Sequence, residues 1–178
     1  MGSFAYESNI VGLRRFLRNG WEKLRRSGFS LTLIGSGLSA HLKRNLQTHD
    51  GVTTLGFVED LRPILSSAYA AVVPLWSGAG VKLKTLTLLA HGVPVFSTSC
   101  GAEGIPQTDG IQIRESPEEL AEAIISSSSS DLERMSVSGA ELAAAEFSED
   151  AFQRKVNHLL ADHIGLRCGV DLLPWEIT

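Results

Sequence analysis

Short apolar runs alternate with helix-period segments along most of this chain, with glycines clustered at the junctions, and that alternation constrains the fold more than any other feature. The runs at 31–34, 52–58, 70–75 and 93–97 are apolar and partly β-branched, and a weaker one spans 110–113. Helical spacing fills the gaps: 40–46, a segment capped by Asp60 with Leu61, Ile64, Leu65 and Ala68 inward, and 81–91, stopped by Gly92 with Pro94 just beyond. An amphipathic helix over 10–27 precedes the first run, with Ile10, Leu13, Phe16, Leu17, Trp21 and Leu24 on one face and Asn9 as its N-cap. The 70–75 run is apolar at every position, the pattern of a strand covered on both faces, so parallel pairing is expected. From Ser116 onward three helices are expected, over 117–126, 131–146 and 148–163, with the serine run 126–130 as a polar connector. The reading is an α/β fold, a doubly wound parallel sheet over residues 1–164, followed by a tail over 165–178 with no clear period.

Bulk properties narrow the function. A net charge of −4 over 178 residues excludes a nucleic-acid binder that works by a basic surface, so any phosphate must be held locally. The one basic cluster, Arg14, Arg15, Arg18, Lys23, Arg25 and Arg26, reads as a solvated helix face. No apolar run approaches the roughly 20 residues of a membrane span, and the first residues lack the pattern of a secretory signal; a soluble, cytoplasmic chain is expected. Two cysteines, Cys100 and Cys168, are too few for a disulfide framework and are expected to be free thiols. No His, Cys and carboxylate grouping has metal-ligand spacing, and Ser36, Ser77 and Ser97 have no evident His partner, so neither a metal nor a catalytic triad is expected.

The chemistry concentrates in 74–104. Gly78-Ala79-Gly80 opens the helix expected near Val81, and free N–H groups at a helix start, backed by the dipole, form an anion site. Lys82 and Lys84 stand at the same mouth, where the dipole disfavours cations, so an anion would satisfy them; two residues apart, they do not share a helix face, and either could reach it. In a doubly wound sheet ligands bind beyond the carboxyl ends of the strands, which would bring the turn Gly35-Ser36-Gly37 together with 78–80 in one site. Glu103, in Cys100-Gly101-Ala102-Glu103-Gly104, could orient a sugar hydroxyl or serve the turn; both readings stay open. His91 reads as a residue placed at a helix C-terminus for local electrostatics.

The stretch from Gly56 to Ile105 resembles the C-terminal half of group 1 glycosyltransferases of the GT-B architecture. The matching pieces are Gly56-Phe57-Val58 with Asp60-Leu61, the Val73-Pro74-Leu75 strand end, Gly78-x-Gly80-Val81-Lys82-x-Lys84, Leu89-Ala90-x-Gly92-Val93-Pro94-Val95 and Gly101-Ala102-Glu103-Gly104. Residues 2–9 with Phe16-Leu17 look like the first strand and helix of that half, and Glu118-Glu119-Leu120 like a peripheral helix, so the likeness runs over about 2–160. The resemblance implies a domain that binds a nucleotide-diphosphate sugar, UDP- or GDP-linked, as donor substrate without a further cofactor. The diphosphate would lie against Gly78, Ala79, Gly80, Val81, Lys82 and Lys84, the nucleotide near Gly35, Gly37, Phe57, Val58, Glu59 and Thr87, and the sugar toward Gly101, Ala102, Glu103 and Gly104.

Two departures follow from the same resemblance. Thr87 stands where the family commonly has the Glu that binds the nucleotide ribose, and Ser77 stands near another acidic position; a hydroxyl lacks the charge-assisted strength of a carboxylate, so donor affinity should be lower by about 1–2 kcal/mol. The acceptor-binding half has no counterpart in these residues, so transfer is expected to need an acceptor domain supplied by a separate acceptor-domain chain or by a longer parent chain, and no catalytic residue can be named. The alternative is a non-catalytic binding or regulatory module derived from such an enzyme. A nicotinamide-dependent dehydrogenase is disfavoured, because the Gly35 turn lacks the third glycine of that fingerprint.

Overall fold

The structure, a computed structural model, describes residues 1–164, with side chains through His158. The tail expected over 165–178, Cys168 included, lies outside the described residues. Two compact units divide at Ala143/Ala144.

In the first unit the elements run α1 (Glu7–Phe16), a π-helical turn (Leu17–Trp21), α2 (Glu22–Arg26), β1 (Leu31–Leu33), α3 (Ala40–Leu46), β2 (Val52–Thr54), α4 (Arg62–Leu65), β3 (Ala71–Val73), α5 (Leu83–Ala90), β4 (Val95–Ser97), a 3-10 turn (Cys100–Ala102), β5 (Ile111–Ile113), α6 (Pro117–Ser126) and the start of α7 (Ser129–Phe147). All strand pairing is parallel: β1 with β2 (Leu31 opposite Val52), β3 with β4 (Ala71 opposite Val95) and β4 with β5 (Val95 opposite Ile111). The α/β parallel fold expected from the alternation is what forms. Its strands fall into two sheets, ordered β1-β2 and β3-β4-β5.

Alternation along β4 shows why both faces are covered. Val95 and Phe96, neighbours in sequence and both fully buried, point to opposite sides and enter different core clusters. Phe96 joins Phe16, Trp21, Leu24, Leu120 and Ile124 from α1, the π turn, α2 and α6. Val95 joins Val73, Leu65, Leu88 and Leu89 from β3, α4 and α5. Each fully buried side chain of this size contributes about 1.5–3 kcal/mol of transfer free energy.

Several boundaries differ from the sequence reading, each for a local reason. The helix expected over 10–27 begins at Glu7, behind Tyr6, and is interrupted by the π turn. Asn9 does not cap it: its amide donates to the Ser3 carbonyl at 2.7 Å and its Oδ1 accepts from Lys84. The strand expected over 52–58 stops at Thr54, because Gly56 turns away with φ +57°. Asp60 lies one residue before the assigned cap of α4, yet its carboxylate accepts from the Arg62 N–H at 3.0 Å and pairs with the Arg62 guanidinium at 2.9 Å. That pairing holds its pKa below the usual carboxylate range.

The punctuation residues behave as their chemistry requires. Gly92, at φ +66°, ends α5: its N–H donates to Leu89 O at 2.8 Å and the Val93 N–H to Leu88 O at 3.0 Å. Ser116 and Glu119 form a reciprocal capping box at the start of α6. The serine run caps: the Ser128 hydroxyl accepts from the Asp131 N–H, so α7 begins at Ser129, ahead of the expected 131. The basic helix face is solvated, with Arg25 and Arg26 paired to Glu22, Lys23 to Glu122, and Arg15 lying 4.1 Å over the Trp76 ring. In the second unit α8 (Glu149–Ile164) follows Ser148, whose hydroxyl accepts from the Ala151 N–H, and Lys155 pairs with Glu146 at 2.8 Å.

Candidate functional site

The loop that leaves β3 is held at its near end and open at its far end. The Trp76 indole donates to the Glu115 carbonyl at 2.8 Å, and the Cys100 thiol donates to the Gly78 carbonyl at 3.5 Å. Gly78 and Gly80 sit at φ +123° and +80°, a region that L side chains rarely adopt, and the space a Cβ would take at Gly80 is empty. α5 starts at Leu83 rather than near Val81: Lys82 is its cap residue, at φ −88° and ψ 88°, and the Lys82 carbonyl accepts from Thr85 and Leu86. Consequently Val81 and Lys82 belong to the loop. Every backbone N–H from Gly78 to Lys84 lacks a protein acceptor among the described residues, giving a run of donors that ends at the positive pole of a helix.

Both lysines at this mouth have internal partners. Lys82 is 8% exposed; its ammonium donates to the Gly80 carbonyl at 2.8 Å and to Glu103 Oε2 at 2.9 Å. Glu103 is half-exposed. Lys84 reaches the other way, to Asn9 Oδ1, and burial, followed by the charge of Lys82, lowers its pKa. The structure thus brings Glu103 to the diphosphate side of the expected site, as the counter-ion of Lys82.

Glu103 and Gly104 sit directly against the 78–84 loop, through Lys82 and Val81, and the Gly101 carbonyl accepts from Thr85 just beyond it. A Cβ at Gly101 would meet Ser97 Oγ at 2.3 Å and Val73 O at 2.6 Å, so only glycine lets this turn close on β3. Gly104, at φ +78°, packs on Val81. On the nucleotide side, the Gly35 N–H donates to Gly56 O at 2.6 Å, which brings the Gly35–Gly37 turn beside the Phe57–Glu59 turn. Phe57 is 80% exposed, Glu59 is exposed and Val58 half-buried. Thr87 is half-buried, and its hydroxyl is committed to Leu83 O at 2.9 Å. His91, at the end of α5, approaches Thr87 O with Nδ1 at 2.8 Å. Residues 2–9 link the two groups: Gly35 abuts the backbone of Gly2, Gly37 that of Ala5, Ser8 approaches Gly78 and Asn9 holds Lys84.

A buried hydroxyl network escaped the sequence reading. Thr85 Oγ1 donates to Gly101 O at 2.7 Å, Ser97 Oγ to Val73 O at 3.2 Å, Thr98 Oγ1 to Leu75 O, and the Gly101 N–H donates to Thr98 Oγ1 at 3.1 Å. These bonds tie the ends of β3 and β4, the first turn of α5 and the 100–102 turn into one frame. Polar residues at the end of a fully apolar strand were the available signal. Among the described residues no cluster of His, Cys, Asp and Glu could hold a metal ion, and no helix is long and apolar enough to cross a membrane.

Comparison with known proteins bears on this geometry. A family model, Glycosyl transferases group 1, matches residues 1–130. A curated relative, an uncharacterized 44.6 kDa protein in the cps region of Klebsiella pneumoniae, is 30% identical over 122 residues, covering 64% of this chain and 31% of that protein. The chain therefore spans about a third of that relative's length. Among solved structures, the C-terminal domain of a group 1 glycosyl transferase from Francisella tularensis matches with TM-score 0.64 at 16% identity over 84% of each chain. A glycosyltransferase from Rickettsia africae matches with TM-score 0.69 at 15% identity, over 91% of this chain and 46% of that one. Anabaena HepE, in complex with UDP-glucose, matches with TM-score 0.67 at 13% identity, over 90% and 48%. At these identities the structural likeness shows the fold, that of a Rossmann-like GT-B half.

Proposed function

The chain belongs to the group 1 glycosyltransferases, and from that premise we propose that it binds the diphosphate of a nucleotide sugar, UDP- or GDP-linked, along residues 78–84. The observation that carries the reading is the unbroken run of unpartnered N–H groups from Gly78 to Lys84, at the carboxyl end of β3 and the start of α5, with Lys82 buried beside it. A diphosphate in this loop would be met by amides that have no protein acceptor to give up, and charge developing on it as the glycosyl group departs would be stabilised by the same donors. The sugar would extend toward Glu103 and Gly104, and the nucleotide toward Phe57 and the Gly35 turn. A second domain, supplied by another chain or by a longer polypeptide, would carry the acceptor and close the cleft against water. UDP-glucose in the complex of HepE supports the choice of ligand class.

One observation favours a second reading, a non-catalytic binding module. Thr87, Lys82 and Lys84 are each engaged within the chain, by Leu83 O, Glu103 and Asn9, so none of the three offers ribose or phosphate an unengaged side-chain group. Calorimetric titration with UDP and with GDP separates the two. Binding in the millimolar range or tighter, weakened about tenfold or more by Lys82→Met through loss of a charge-assisted bond, supports donor binding. A folded chain that binds neither nucleotide supports the module.

A further inference from the structure

The two lysines at the mouth of α5 are held by groups of different charge. Lys82 donates to Glu103, whose carboxylate offsets its charge. Lys84 donates to Asn9 Oδ1, a neutral acceptor, and among the described residues no carboxylate pairs with it. An ammonium carries three donors, so two of those on Lys84 stay uncommitted among the described residues. Lys84 is therefore half-buried, singly bonded and uncompensated, and burial, followed by the charge of Lys82, lowers its pKa.

Asn9, in the first turn of α1, has one orientation open to it. Its Nδ2 donates to the Ser3 carbonyl at 2.7 Å while Oδ1 faces the ammonium. Turning the amide over would set Oδ1 against the Ser3 oxygen and the NH₂ group against the ammonium, so both contacts would become repulsive. Ser3 is fixed in its turn: its hydroxyl accepts from the Ala5 N–H at 3.3 Å and its carbonyl from the Tyr6 N–H at 3.4 Å. This relay also decides where the ammonium points. A Cβ at Gly2 would lie 3.4 Å from Lys84 Nζ, and the Gly2 carbonyl abuts Gly35. The head of Lys84 thus leaves the 78–84 loop toward the Gly35 turn, from the diphosphate part of the proposed site toward the nucleotide part.

We propose that Asn9 is a positioning residue for diphosphate binding, one that aims the Lys84 ammonium and leaves its charge to the ligand. The role rests on the donor-binding reading above and requires no contact between Asn9 and the ligand. A carboxylate in the same place would hold the ammonium as firmly but would spend its charge, as Glu103 does for Lys82. An apolar side chain of the same size would spare the charge but free the head, and the rotamer entropy of a loose lysine would then be lost on binding. The neutral amide avoids both losses.

Calorimetric titration with UDP and with GDP tests this on the unsubstituted chain, Asn9→Leu, Asn9→Asp, Lys84→Met and the double variant of Asn9→Leu with Lys84→Met. Asn9→Leu and Asn9→Asp should each weaken binding about tenfold, the effect of one charge-assisted bond. Once Lys84→Met is present, Asn9→Leu should change affinity by less than about twofold, because no ammonium is left to aim. A side chain that only shapes the fold would weaken binding equally in both backgrounds, and that result overturns the proposal. Asn9→Asp gives a second readout and decides alone if Asn9→Leu does not fold. It keeps an acceptor for Lys84 and puts an anion in the first turn of α1, where the helix dipole favours one, so its melting temperature should stay within about 3 °C while its affinity falls. Unweakened binding by Asn9→Asp, or weakening that comes only with a larger fall in melting temperature, also overturns the proposal. An unsubstituted chain that binds neither nucleotide refutes the donor reading itself, and this role with it.

Discussion

The Lys82–Glu103 pair predicts opposite responses of stability and ligand affinity to one substitution. Lys82 is nearly buried and Glu103 half-exposed, with 2.9 Å between Nζ and Oε2. Unit charges at that separation attract by about 6 kcal/mol at an effective dielectric of ~20 and by about 1.5 kcal/mol in bulk water. Glu103 lies near the solvent side of that range, and part of the attraction offsets the desolvation of Lys82, so a net coupling of about 2 kcal/mol is expected. Glu103→Gln abandons the buried ammonium with only the Gly80 carbonyl as partner and should cost about 2 kcal/mol, or about 4–8 °C in melting temperature for a chain of this size. Lys82→Met returns a half-exposed carboxylate to water and should cost less than half as much. In the double variant, Glu103→Gln added to Lys82→Met should be nearly neutral. The same Glu103→Gln change should raise affinity for UDP or GDP several-fold, because the carboxylate no longer competes with the diphosphate for Lys82. Urea melts of the four proteins measure the coupling, and calorimetry measures the affinity. Additive stabilities, or a Glu103→Gln protein that is less stable and also binds nucleotide less tightly, would refute the counter-ion role.

Three further outcomes are expected. Gly101→Ala drives a Cβ to 2.3 Å from Ser97 Oγ and 2.6 Å from Val73 O; overpacking plus disturbed buried hydroxyl bonds should cost about 3 kcal/mol, seen as a lowered urea midpoint at an unchanged slope. Gly80→Ala meets no atom within 4 Å, so only its positive φ opposes it, at about 1 kcal/mol; a large loss of nucleotide binding with near-normal stability would mark the loop as a ligand contact. The Met1 ammonium titrates at about 6 in the folded chain against 8.0 unfolded. Between those values the unfolded state binds more protons, so stability should rise with pH from about 6 to 8, by up to about 2–3 kcal/mol, and N-terminal acetylation should abolish that rise in pH-dependent melts.

Features governed by local chemistry were legible in the sequence. The Gly92 stop, the Ser116–Glu119 capping box and the apolar strands ending near Val73 and Ser97 follow from residues within one turn of each other, and the structure has all of them, although only the second of those strands is buried throughout. Features set by contacts distant in sequence were not. Nothing in the spacing of Lys82 and Glu103, 21 residues apart, announces an ion pair, and the pull of Lys84 on Asn9, 75 residues away, removed a cap that looked sound on local grounds. The helix start moved from Val81 to Leu83 for a related reason: with Lys82 turned toward Glu103, its backbone sits at ψ 88° and cannot open the helix.

Periodicity also showed that strands and helices alternate without showing which strand edges meet. Edge pairing depends on crossovers longer than any periodic window, which is why one sheet was expected where two sheets flank an opening. The opening and the diphosphate loop share a border. Pro74, Leu75 and Lys84 line the former, while 78–84 form the latter.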